Sequence, residues 1–170
     1  YAVMNWNVAE ISGGTFESDS WAVVNCGNSK NELDRGQLTI TDGEFTGKNG
    51  AVGRYSDAGN PVISGGTFSS DVSAFVGDDF ICVPTEDGYA VEIMNADNAV
   101  AKIGDKLYKN LADAITEAKS GEVVTLLKSV EGPGVQVIGS SNRTLTIDLG
   151  GNTYTVINPT VGSAGTETNG

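Results

Sequence analysis

Ile11-Ser-Gly-Gly-Thr-Phe16, Ile40-Thr-Asp-Gly-Glu-Phe45 and Ile63-Ser-Gly-Gly-Thr-Phe68 are three copies of one hexapeptide, with starts 29 and then 23 residues apart. Each copy is followed, eleven residues after its Ile, by an alanine run: Ala22-Val-Val24, Ala51-Val-Gly53 and Ala74-Phe-Val76. Ala2-Val-Met4 has the same form and precedes the first copy, which puts Asn5 and Asn25 at equivalent places, with Arg54 in the third. The distance from each Ala to the next Ile varies instead, at nine, eighteen and twelve residues. A constant half and a variable half mean that insertions fall on one face of a repeating unit.

Residues 1–98 show no helical periodicity, and a period of about 20–30 residues made of short alternating runs is the pattern of a β-solenoid. Two strands per turn are expected, with the Ile pointing inward and the Phe returning to the core. The Gly before the final pair should take a conformation that a Cβ would hinder. Stacked turns then form an Ile11/Ile40/Ile63 ladder, a Phe16/Phe45/Phe68 ladder and an Ala ladder through Ala22, Ala51 and Ala74. Burying each Phe or Ile contributes about 1.5–3 kcal/mol. One turn alone has no neighbour against which to realise it.

The pattern changes further along. Residues 78–98 read as two short strands about a Glu86-Asp87-Gly88 turn, leaving the repeat. Leu111, Ala114, Ile115 and Ala118 then have the spacing of one apolar helical face. Asn110 stands as N-cap with Asp113 three residues on, and Gly121 is placed as the stop, which predicts a helix over Asn110–Ser120 covering a solenoid end. Strands are expected at Val123–Leu127, Val135–Ile138, Leu145–Leu149 and Tyr154–Ile157, with a Gly150-Gly151-Asn152 turn between the last two. Charge divides at the same place: residues 1–98 hold 15 acidic and 4 basic side chains, net −11, whereas 99–170 hold 7 and 6, net −1. The organisation read from this is 1–77 as closing turns of one module, 78–98 as closing strands and linker, and 99–170 as capping helix and opening turns of another.

Composition excludes several chemistries. The 170 residues include no histidine, which removes Ser-His-Asp and Cys-His catalysis, His-rich zinc sites and a histidine pH switch. A net charge of −12 makes nucleic acid a poor partner, because phosphates need a Lys/Arg surface. No run approaches the ~18 apolar residues of a membrane span. The chain opens at Tyr1 in a strand-like run rather than at a Met, the expected look of a segment of a longer polypeptide. Cys26 and Cys82 form no C-x-x-C motif; a single bridge between them is one reading, two small buried hydrophobes the preferred one.

The hexapeptide copies, with Ser69-Ser-Asp-Val-Ser-Ala-Phe75 and Asp87-Gly-Tyr-Ala-Val91, resemble the closing turns of right-handed parallel β-helix modules in large surface proteins of gut Firmicutes. Ala99-Val-Ala-Lys-Ile-Gly-Asp105, Leu111-Ala-Asp-Ala-Ile115, Gly121-Glu-Val-Val-Thr-Leu-Leu-Lys128 and Thr146-Ile-Asp-Leu-Gly-Gly-Asn-Thr-Tyr154 resemble the opening of the next such module. The resemblance covers nearly the whole chain. It implies an all-β, right-handed parallel β-helix of pectate-lyase-like fold with one short capping helix, in a secreted, cell-wall-associated array. The end of one module preceding the start of another would leave open strand edges at Tyr1–Ala9 and Leu145–Ile157. These are expected to stack, within one chain or between chains.

Candidate chemistry is sparse. Pectate-lyase-like enzymes use a Ca²⁺-binding carboxylate cluster and an Arg or Lys base, and Arg54, Asp57, Asp78 and Asp79 are the grouping that could be cast in those roles; spare charge in solvated loops is the preferred reading. Loops at 25–31, 57–60 and 78–79 could supply oxygen ligands, but none has a regular Ca²⁺-binding spacing. Trp6, Trp21 and Tyr55 could form an outer stacking strip for sugars or could fill solenoid corners. Asn5 and Asn25 read as a buried ladder that satisfies backbone groups. Thr144/Thr146 and Thr153/Thr155 resemble the outward pairs of ice-binding solenoids without a shared register. The expectation is a non-catalytic structural or adhesive surface module with no catalytic, cofactor or metal residues, which associates with itself through solenoid ends. The alternative is a glycan-binding or polysaccharide-lyase-like β-helix with host or bacterial glycans as partners.

Overall fold

The computed structural model describes residues 1–27, 35–138 and 142–158. Among the described residues about 50% are strand, with a β-solenoid of about five turns and a single short α-helix. The chain divides into two compact units, Tyr1–Ile93 and Met94–Gly170.

In the first unit, β1 (Val3–Asn5), β3 (Trp21–Asn25) and β5 (Gly50–Arg54) pair in parallel as one sheet. The facing strands β2 (Val8–Ser18) and β4 (Gln37–Gly47) are eleven residues long and each contains a whole hexapeptide. The third copy is split into β6 (Val62–Ile63) and β7 (Gly66–Phe68), both paired with β4. Register is set by the repeat: Ile11 lies opposite Ile40 and Ile40 opposite Ile63, as Phe16 does opposite Phe45 and Phe45 opposite Phe68. The three phenyl rings stack with centroids 5.1 Å apart and planes within 3° and 8° of parallel. Each hexapeptide bends at its glycine, where φ is +97° at Gly14, +131° at Gly43 and +106° at Gly66. A Cβ on Gly43 would lie 2.9 Å from the Phe45 ring and 3.1 Å from the Gly14 carbonyl oxygen, so the bend requires glycine both for its backbone angle and for the approach of the preceding turn.

The Ala ladder has two members rather than three. Ala22 and Ala51 are fully buried, whereas Ala74 is exposed in a 3-10 turn over Ser73–Phe75. Asp71 accepts the Ser73 N–H at 2.8 Å and starts that turn, and Val72, fully buried, takes the inward place. Val76 then bridges to Ile63 and supplies the fourth rung of the Ile ladder. The hairpin of β8 (Phe80–Thr85) and β9 (Gly88–Ile93) follows, and β9 runs antiparallel to β7, with Tyr89 opposite Phe68. An antiparallel strand at this position ends the parallel stack.

The second unit begins with antiparallel strands, β10 (Ala101–Ile103) and β11 (Lys106–Tyr108), which the sequence reading does not place. β12 (Val123–Leu126) pairs antiparallel with β10 and parallel with β14 (Thr146–Asp148); β13 (Val130–Pro133) pairs parallel with β15 (Tyr154–Asn158). The helix α1 spans Leu111–Glu117, with Asn110 as N-cap accepting the Asp113 N–H. Its apolar face is buried through Leu111, Ala114 and Ile115 and packs in one core with Ala101, Tyr108, Val124 and Leu126. It ends short of the predicted Ser120, because Ala118 is already extended at φ −57°, ψ 135°. Arg143 reaches back to donate from Nη2 to the carbonyls of Ile115 and Ala118, both at 2.6 Å, and closes the helix end before Gly121. Val135–Ile138 forms no strand. The ladder to β15 is instead made by Val130–Pro133, and Pro133, lacking an N–H, stands where the register shifts and the pairing stops.

Among the described residues no helix is long and apolar enough to cross a membrane.

Candidate functional site

Two kinds of surface stand out: the open ends of the stacks and an aromatic cleft on an outer face. Among the described residues β1 and β2 are each the first strand of their sheet, paired on one side. The consequence shows in the phenylalanine column, where Phe45 is 0% and Phe68 3% exposed but Phe16, at the open end, is half-buried. Val3 and Ala9 are likewise partly buried against the core, and Val8 is 73% exposed. In the second unit β14 and β15 are, among the described residues, the last strands of their sheets, and Ile147, Leu149, Val156 and Ile157 are exposed there. Unpaired strand edges beside apolar side chains are templates for pairing.

The cleft lies on the outer face of the β1–β3–β5 sheet, has a volume of about 160 Å³ and is lined by Tyr1, Trp21, Val24, Gly53, Arg54 and Tyr55. Trp21 lies opposite Gly50, and Val24 opposite Gly53. A Cβ on Gly50 would come within 2.3 Å of the indole and one on Gly53 within 3.1 Å, so the two glycines let the ring rest on the sheet. Tyr1 and Tyr55, from the first and third turns, meet at their hydroxyls 3.4 Å apart across the second. That hydrogen bond raises the Tyr55 phenol above its ordinary value. Arg54 donates from Nη1 to the Ala58 carbonyl at 3.0 Å, which fixes its guanidinium beside the rings. The sequence pattern points to Trp21 and Tyr55 but not to Tyr1, although Tyr1 precedes Trp21 by the same twenty residues that separate Ala2 from Ala22. Trp6 is exposed but is not among the lining residues.

The remaining sequence candidates are dispersed. Asp57, Asp78 and Asp79 are exposed, and among the described residues no group of three or more His, Cys, Asp or Glu is placed to hold a metal ion. Part of the 25–31 loop lies outside the described residues, and its first member is structural. Asn25 is fully buried, donating to the carbonyls of Gly36 at 2.7 Å and Gly59 at 2.8 Å and accepting from Asn5 at 2.8 Å. Asn5 in turn donates to Asn7 and Gln37 carbonyls, both at 2.9 Å. The asparagine pair therefore holds the corner where successive turns leave the sheet. Cys26 and Cys82 are free thiols, the first buried, and desolvation raises both above their ordinary value. Thr146 and Thr155 lie in different sheets and make no common array.

Two further grooves were not visible in the sequence. One of about 350 Å³ carries Glu44, Thr67, Asp87 and Tyr89; its two carboxylates have no base among the lining residues. The other, of about 380 Å³ in the second unit, lies among Val100, Leu111, Val130, Glu131 and Tyr154. Tyr154 donates its hydroxyl to the Pro133 carbonyl at 2.8 Å, and burial raises its phenol. No protein-family model, curated protein or solved structure matches the chain.

Proposed function

We propose that the chain is a non-catalytic structural or adhesive module of a secreted bacterial cell-surface protein, which associates with further modules end to end. The observation that carries this reading is the asymmetry of the phenylalanine column. Its middle and inner rings are buried, and its outer ring stands at a sheet edge with an apolar face to offer. A second copy, presenting the exposed edge of β14 and β15, supplies both backbone partners and apolar side chains. Such a contact is head-to-tail and heterologous, so it propagates unless the rotation closes a ring. The net −11 of residues 1–98 opposes side-by-side association while leaving end contacts free. Surface location and secretion follow from the resemblance of the repeat to β-helix modules.

Light scattering over a concentration series tests the association. The mass-average should rise with concentration and fall back to the monomer in Val156→Asp, which puts a charge on the outer strand of the second unit. A strictly monomeric species unaffected by that substitution overturns the end-to-end reading. Turnover of polygalacturonate, with or without Ca²⁺, would overturn the non-catalytic one.

A further inference from the structure

We propose that the cleft formed by Tyr1, Trp21, Arg54 and Tyr55 is a binding site for a neutral pyranose ring. The first element is a platform: Trp21 rests on Gly50 and Gly53, which a Cβ at either position would disturb. An aromatic face laid flat and open on one side matches the C–H face of a sugar ring. The second is a set of polar groups lining the same cleft. The Tyr1 and Tyr55 hydroxyls, 3.4 Å apart, leave acceptor capacity outward. The Arg54 guanidinium, held by one N–H on Ala58, has further N–H groups for sugar hydroxyls. The third is selection by charge. Three aromatic side chains could also cage an organic cation, but Arg54 repels one at close range. An anionic sugar is drawn by Arg54 at close range, but that guanidinium is already bonded to the Ala58 carbonyl and the −12 net charge of the chain opposes the approach of an anion. What both fields tolerate is an uncharged polyol.

Size narrows the class further. At about 160 Å³ the cleft is below the ~300–1,000 Å³ of sites that enclose a drug-sized ligand, so it takes one ring or the end of a chain. The cleft opens on the outer face of β1, β3 and β5, and Tyr1 is the one lining residue that also lies on the open edge Tyr1–Ala9. Titrated at dilutions where the chain is monomeric, sugar binding and end-to-end association fail separately.

The test follows the indole N–H signals of the whole chain by NMR during titration with methyl β-glucoside, methyl β-galactoside, methyl α-mannoside and methyl N-acetyl-β-glucosaminide. Galacturonate and tetramethylammonium serve as the anionic and cationic probes. At least one neutral glycoside should move the Trp21 signal while leaving that of Trp6 in place. Tyr55→Ala, at an exposed position, should weaken binding about tenfold, and Trp21→Ala should do so at least as strongly, with a native amide spectrum as the folding control. The proposal is overturned if none of the four glycosides moves Trp21, if either charged probe moves it more, or if binding survives in both variants.

Discussion

The two units build cores from the same kind of strand by different rules. In Tyr1–Ile93 each residue type stacks on its own kind: Ile on Ile, Phe on Phe, Asn on Asn. In Met94–Gly170 an antiparallel start and a seven-residue helix precede the parallel pairs, and Ala101, Tyr108, Ile115 and Leu126 meet with no repetition. A stacked core depends on depth in the column, because each rung is covered by the rungs on either side. A mixed core depends on single long-range contacts, as with Arg143 at the end of α1.

The largest expected effect separates middle from end in the first unit. Phe45 is fully buried between two parallel rings, and Phe45→Ala should destabilise by about 3–5 kcal/mol through the cavity it leaves. Phe16→Ala removes a ring with one stacked neighbour and partial exposure, so its cost should be markedly smaller. Denaturant midpoints of the two variants measure this; equal losses would mean that the outer ring is as well covered as the middle one, and the open-end description would fall. Conversely, in a concentrated sample where ends associate, the Phe16 cost should grow toward that of Phe45.

A smaller effect is expected in the second unit. Arg143 donates to two carbonyls at the end of α1 and to that of Ile138, while its Nε is buried without a partner. Arg143→Met keeps much of the side-chain volume but leaves the carbonyls unpaired, a loss of about 1–3 kcal/mol. It should appear as faster amide exchange at Ala118, whose N–H bonds to Ala114, with the Phe column of the first unit unaffected. Slow exchange retained at Ala118 would show that the helix end does not depend on this cation.

The same contrast explains what could be read from sequence. The Ile and Phe columns were legible because equal offsets place identical residues at one register, and Asn5, Asn25 and Arg54 fall in one row for the same reason. Ala74 has the right offset and still points outward, because Val72, one residue past Asp71, takes the interior and no local pattern announces that exchange. The N-terminus of α1 was legible from Asn110 and Asp113, which act within one turn; its C-terminus was not, since Arg143 comes from 25 residues beyond Ala118. Val135–Ile138 alternates like a strand, yet the row it would fill is occupied by Val130–Pro133. Half of the aromatic cleft was visible in Trp21 and Tyr55. That they face Tyr1 and Arg54 across three turns depends on strand register, which a list of aromatic residues does not contain.

The smallest expected effect is electrostatic and confined to the surface of the second unit. Glu117, in the last turn of α1, accepts from Lys106 and from the Tyr108 hydroxyl at 3.2 Å, and Lys106 also sits 5.1 Å from the centre of the Tyr108 ring. The Lys106 hydrogen bond holds the Glu117 carboxyl below its ordinary value, and the same bond holds Lys106 above its own. Between its folded and unfolded pKa values the unfolded chain binds the extra proton at Glu117, so stability rises with pH there. The contribution is complete above the unfolded glutamate value and lost as pH falls through the depressed folded one. For Lys106 the sense is opposite: its contribution is complete below the unfolded lysine value and lost as pH rises through the elevated folded one. Both side chains are more than half exposed, so the loss at either limb should be slight and should shrink with added salt. An acidic carboxylate at a helix C-terminus is unfavourable to the helix dipole, so Glu117→Gln removes a repulsion as well as an attraction. The acid limb of the Ala118 amide-exchange profile should flatten in Glu117→Gln, with little change near neutrality; an unchanged acid limb would show that the pair contributes nothing to this unit.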